Sequence, residues 1–208
     1  MEFEVVKPEE IEKRSFEIIT KELEEAGIKI DEKNAFVTKR CIHTSADFDY
    51  ASTLMFSEDA VDKMKDLIRG GAYIVTDTNM ALAGINKKKL ESFGGKALCF
   101  MADEDVAKEA KERGITRAAV SMERAAMLDR KVIFAVGNAP TALVKLHEMM
   151  EEGSFKPEFV IGVPVGFVNV VWAKELFINS DVPYIINRGR KGGSNIAAAI
   201  CNAVLYNM

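Results

Sequence analysis

Glutamine is missing from the 208 residues, tryptophan occurs once, and histidine occurs twice, as His43 and His147. Two imidazoles so far apart offer no metal-ligand spacing. The three cysteines, Cys41, Cys99 and Cys201, form no CxxC pair. These absences exclude a zinc knot and a disulfide framework, and they point to reduced thiols in a cytoplasmic protein. The fingerprints GxGxxG, GxxxxGKS/T, HExxH and GxSxG are also absent, so neither a phosphate loop nor a nucleophile elbow announces itself. No protein-held metal and no cofactor are expected.

Long apolar runs are lacking too. The longest uncharged stretches, 159–173 and 192–208, are interrupted by Pro164 and Asn169 in one and by three asparagines in the other. Both are shorter than a membrane span requires. The opening MEFEVVKPEEIEK is acidic and unlike a signal peptide. A net charge of −4 argues against a broad nucleic-acid surface while leaving room for a local basic pocket. The lack of glutamine beside abundant Lys and Glu leans toward a thermophile.

What is present is a soluble composition, 48% hydrophobic and 29% charged, in a chain long enough for one well-cored domain, 1–208. PEEIEKRSFEIITKELEEAG reads as a helix with Pro8 in its first turn and an apolar stripe of Ile11, Ile18, Ile19 and Leu23. Arg14 and Ser15 fall on that same side. A second helical pattern covers 31–42, and Phe36, Arg40 and His43 share a face by their spacing. Ser57 reads as the N-cap of the next helix. Then the period alternates. AYIVTDT, KALCFMA, KVIFAVG, FVIGVPV and PYIINRG read as strands, with helical patterns between them and a last apolar helix, SNIAAAICNAVLYNM. This order predicts a three-layer α/β/α fold with a mainly parallel sheet of about five strands.

Ligands of open parallel sheets sit at the strands' C-terminal ends. There the chain places TDTNMALAG (with Thr78), GNAPTAL, GVPVGFVN and NRGRKGGSN. Turn chemistry accounts for any one of them; four at one edge point to a large ligand pocket. The candidate polar groups there and nearby are mostly cations: Arg14, Lys39, Arg40, Arg117, Arg188, Arg190 and Lys191. Cations on glycine-rich loops of an acidic protein suit a ligand rich in carboxylates or phosphates. Solvated surface arginines are the plainer account, and Arg190 or Lys191 can equally pair with surface acids. Asp47 and Asp49 read as turn formers, and His147 as an ordinary helix-surface residue.

RSFEII, RCIHTSADFDYA, TDTNMALAGINK, RAAVSME, VGNAPTAL, IGVPVGFVNVVWAKE and GRKGGSNIAAAICNA together resemble the precorrin-8X methylmutases and their cobalt-precorrin-8 counterparts of cobalamin biosynthesis. The resemblance spans nearly the whole chain. It implies an isomerase that moves a methyl group between neighbouring carbons of pyrrole ring C of a corrin-like macrocycle, without a cofactor, in a homodimer with sites near the subunit interface. The family's active-site histidine falls on His43, and its substrate contacts on Ser15, Arg40 and Arg117. Arg14, Thr78, Arg190 and the helix start at Gly192, Gly193 and Ser194 are further candidates for gripping substrate carboxylates. Two other readings of the same residues stay open: a non-catalytic tetrapyrrole carrier, and a nucleotide-phosphate enzyme on a similar sheet.

Overall fold

The computed structural model describes residues 5–208; positions 1–4 of the acidic opening lie outside the described residues. A turn of 3-10 helix, Pro8–Glu10, leads into α1 (Ile11–Glu25), followed by α2 (Ala35–Ser45), α3 (Tyr50–Thr53), β1 (Leu54–Phe56) and α4 (Ala60–Arg69). The centre runs β2 (Tyr73–Thr76), α5 (Asn79–Gly84), α6 (Lys87–Glu91), β3 (Ala97–Leu98), α7 (Glu104–Arg113), α8 (Arg117–Ala126) and β4 (Val132–Val136). The chain finishes with α9 (Pro140–Glu151), β5 (Phe159–Gly162), α10 (Val170–Ile178), β6 (Tyr184–Asn187) and α11 (Ser194–Tyr206).

The six strands lie in the order β1-β6-β5-β4-β2-β3, and all neighbours are parallel except β1 against β6. The expected five strands are all there. The sixth, β1, was not expected: three residues directly after a helix carry too little period to register. Ser57 is not a helix cap. Its hydroxyl accepts the Tyr184 N–H at 2.9 Å and so continues the β1–β6 edge, while Asp59 stands at the cap position of α4.

Side chains alternate across the pleat and feed two cores. In β4, Ile133 and Ala135 join the layer of α1, α2, α4 and α11, while Val132, Phe134 and Val136 join the layer of α8, α9 and α10. Every residue of β4 and β5 is buried, as a parallel strand covered on both faces requires. The stripe of α1 is only half used: Ile19 and Leu23 are buried, but Ile11 and Ile18 face outward. α2 starts four residues later than its sequence pattern and runs on through His43 to Ser45.

Candidate active site

The late end of α2 sets the site. Arg40, His43 and Thr44 form one wall of a cleft of about 500 Å³ whose other walls are Met80 and Gly84 of α5, Glu12 of α1, and Asn195, Ala198, Ala199, Asn202 and Tyr206 of α11. Asn202 fastens α5 to α11: its amide donates to the Gly84 carbonyl and its oxygen accepts the Asn86 N–H, both at 2.8 Å.

His43 occupies the last turn of α2, and its ring lies 5.4 Å from that of Phe16. The Arg40 guanidinium sits 4.8 Å over the same Phe16 ring and 5.9 Å from Tyr206. It also pairs with Glu12 at 2.6 Å. Its hydrogen bond holds the Glu12 carboxyl below the usual range; burial opposes this, and the charges of Arg40 and His43 add to it. The expected apolar partner was Phe36. That ring instead packs on the core beneath the Lys65 ammonium, because α1 crosses α2 with Phe16 at the contact.

Ser15 and Arg14, on the same α1, do not line the cleft. The Ser15 hydroxyl donates to the Ile11 carbonyl at 2.9 Å, and Arg14 reaches Glu17 at 3.5 Å. A second group sits beside the cleft. Thr78 caps α5, and its hydroxyl meets that of Ser194 at 2.7 Å; their near neighbours Met80 and Asn195 line the cleft. Gly193 is less available than expected, since its N–H donates to the Val163 carbonyl at 2.8 Å. Gly192 runs so close to that carbonyl that a Cβ there would lie 2.0 Å from it. Arg190 is exposed with its guanidinium 5.4 Å over the Phe167 ring. Arg117 opens α8, in the other helical layer, and does not line the cleft.

Three residues that shape this region drew no functional reading from the sequence. Asp77 is fully buried and accepts the N–H groups of Gly137, Asn138 and Ala139 at 2.8, 2.7 and 2.6 Å, fixing the GNAP turn. Burial pushes its carboxyl up and the three donors pull it down, with burial the larger. Lys174 is fully buried and donates to the carbonyls of Gly189 and Lys191. Glu12 is the third. All three meet partners distant in sequence, so local spacing could not reveal them. Lys191 pairs with Asp47 at 2.6 Å and Asp49 at 2.5 Å, joining the glycine loop to the turn that follows His43.

A larger groove of about 560 Å³ lies between α9 and α10. It is lined by His147, Trp172 and the carboxylates of Glu151, Glu175 and Asp181, which would repel an acidic ligand. Among the described residues no cluster of three or more His, Cys, Asp or Glu is arranged to hold a metal ion. The cleft thus offers an imidazole, a cation that Glu12 holds, and the Tyr206 ring to a flat, acidic molecule.

Comparison with known proteins shows the family to which the chain is similar. A family model described as precorrin-8X methylmutase matches residues 10–207. The chain is 43% identical to the cobalt-precorrin-8 methylmutase of Priestia megaterium, over 96% of this chain and 88% of that one. It is 42% identical to the protein of the same name from Salmonella typhimurium, over 98% and 97%. A crystal structure of precorrin-8X methylmutase from Thermus thermophilus superposes with a TM-score of 0.83 at 36% identity, covering 95% of this chain and 96% of that one.

Proposed function

The chain belongs to the precorrin-8X methylmutase family, and from that membership we propose how its residues carry the reaction. The protein is an isomerase of cobalamin biosynthesis, a precorrin-8X or cobalt-precorrin-8 methylmutase that moves a methyl group within one corrinoid precursor. The methyl bond breaks at one carbon of pyrrole ring C as a bond forms at the neighbouring carbon, and no atom is gained or lost. Such a shift needs a rigidly held conjugated ring and a redistribution of electron density within it. His43 supplies a proton or hydrogen bond to the ring system, and orientation by the cleft does the rest.

The observation that carries this reading is the placement of His43, Arg40 and Tyr206 in one cleft, with Phe16 packed against the first two. The macrocycle's conjugated face suits the Tyr206 ring, and its carboxylates suit Arg40, which Glu12 occupies until a substrate acid takes its place. Thr78 and Ser194 present hydroxyls at the neighbouring helix starts. An acid group there meets Ser194 and later N–H groups of α11, since that of Gly193 is committed to Val163. Ser15, Arg14, Arg117 and Arg190 stand outside this cleft in one copy of the chain, and their part in the proposal is to add carboxylate contacts once the site is assembled.

Arg117 lies in the other layer from His43, so one active centre using both draws them from two copies of the chain. A homodimer with sites near its interface is therefore part of the proposal, supported by the outward-facing Ile11 and Ile18 of α1. A cytoplasmic location is proposed as well and fits three free cysteines; no described helix is long and apolar enough to cross a membrane. The test is a single-turnover absorption measurement with the metal-free and cobalt-bearing substrates. Wild-type protein converts at least one of them with the spectral change of ring rearrangement. Tight binding of both without conversion would reduce the protein to a carrier.

A further inference from the structure

Of the residues beside the site, Lys174 has the least ordinary environment. An ammonium is costly to bury, and a helix position facing a core is ordinarily apolar. Here two carbonyls, and not a carboxylate, meet it: Gly189 at 2.7 Å and Lys191 at 2.9 Å. Buried Asn187 adds a second donor to the Lys191 carbonyl at 2.9 Å, and its own oxygen accepts from the Thr53 hydroxyl at 2.7 Å. The loop is thus held from beneath by two buried donors. From outside it is held by Asp47 and Asp49, which grip the Lys191 side chain.

We propose that Lys174 is a positioning residue of the methylmutase: through the carbonyls of Gly189 and Lys191 it fixes the 188–194 loop in the shape that presents Arg190 and Ser194 to substrate carboxylates. The proposal rests on the reading that this loop grips the substrate. The loop needs such a hold. Gly189, Gly192 and Gly193 all have positive φ, a run of flexible residues that gains little order from its own side chains. It must also pass beneath the Val163 carbonyl and deliver Ser194 to Thr78. Burial pushes the Lys174 ammonium down to about 8, the direction expected for a cation kept for its hydrogen bonds and not for an ion pair.

Two variants test it, Lys174→Met, similar in length with no donor, and Lys174→Gln, with one uncharged donor group. Amide hydrogen exchange of residues 188–194 and steady-state kinetics on the corrinoid substrate are the readouts. The Met protein should exchange faster in this loop and show KM raised roughly tenfold with kcat little changed, since the lost bonds involve a charged donor. The Gln protein should fall between it and wild type. A packing role predicts the opposite order, with Met equal to or better than Gln, and that order overturns the proposal. So does wild-type loop exchange in the Met protein, or a loss confined to kcat. If the Met protein does not fold, wild-type exchange and KM in the Gln protein overturn it. Arg190→Ala, run alongside, separates the two claims. Wild-type KM there, with fast exchange and raised KM in Lys174→Met, retires Arg190 as the grip and supports Lys174 as the hold.

Discussion

His43 is the imidazole of its cleft, and its neighbours divide the work. Replacing it with Ala should leave the fold and macrocycle binding intact and lower methyl transfer by about 10²–10⁴-fold, the usual range for acid–base assistance. His147→Ala should turn over as wild type, because that ring packs edge-on against Phe177 at 6.2 Å in the other layer. Near wild-type turnover by His43→Ala would leave ring orientation as the whole of catalysis. Arg40→Ala should weaken binding ten- to a hundredfold, the loss of one charge-assisted contact of about 1.5–3 kcal/mol. Glu12→Gln should do the reverse: with its ionised partner gone, Arg40 meets a substrate acid without competition, and Kd falls. Weaker binding by the Gln protein would make Glu12 a direct substrate contact. His43 and Arg40 were legible because one helical turn joins them. Phe16, Glu12 and Tyr206 were not, because helix crossing and not sequence spacing brings them there.

At the scale of elements, the alternation of strand and helix was plain wherever a strand is buried on both faces, as in VIFAV of β4. It failed at β1, an antiparallel edge of three residues that pairs with a strand more than a hundred positions away. The glycine-rich turns were visible as a group, but what each glycine permits was not. Gly137 shows the difference: a Cβ there would lie 2.8 Å from the Ser194 Cα, backbone against backbone. Gly137→Ala should therefore shift the start of α11 and cost about 1–3 kcal/mol of stability, as overpacking does. It should also raise KM, because Ser194 moves with that helix start. Chemical denaturation and kinetics check the two parts. Wild-type values for both would mean that α11 yields without consequence.

The whole molecule responds to acid through its paired surface carboxylates. Lys191, Arg124 and Arg113 hold Asp47, Asp105 and Glu123 below their usual ranges, chiefly by hydrogen bonds. A carboxyl depressed in the folded state contributes stability above its unfolded value and loses it as pH falls through the folded value. Asp77 runs the other way and offsets part of this, since burial raises it. The depressed group outnumbers it, so the melting temperature should fall as pH drops below about 4, and less steeply in high salt, which screens the exposed pairs. A flat profile through that range would show that the pairs add nothing.

Assembly decides whether the site is complete. His43 and Arg117 sit on helices of opposite layers, and the cleft around His43 has no side chain from α8. If both act on one macrocycle, a two-fold assembly must bring Arg117 of one copy to His43 of another. Light scattering should then give the dimer mass at micromolar concentration. Mixing is the sharper measurement. Measured well below KM, His43→Ala is nearly inactive and Arg117→Ala is slowed about ten- to a hundredfold as homodimers, but subunit exchange makes half the dimers mixed. In a mixed dimer one centre carries both lesions and the other carries neither. Equal amounts should therefore recover about a quarter of the wild-type rate. No recovery, with exchange verified by mass, would place Arg117 outside the centre or in the same subunit as His43, and the shared site would be gone.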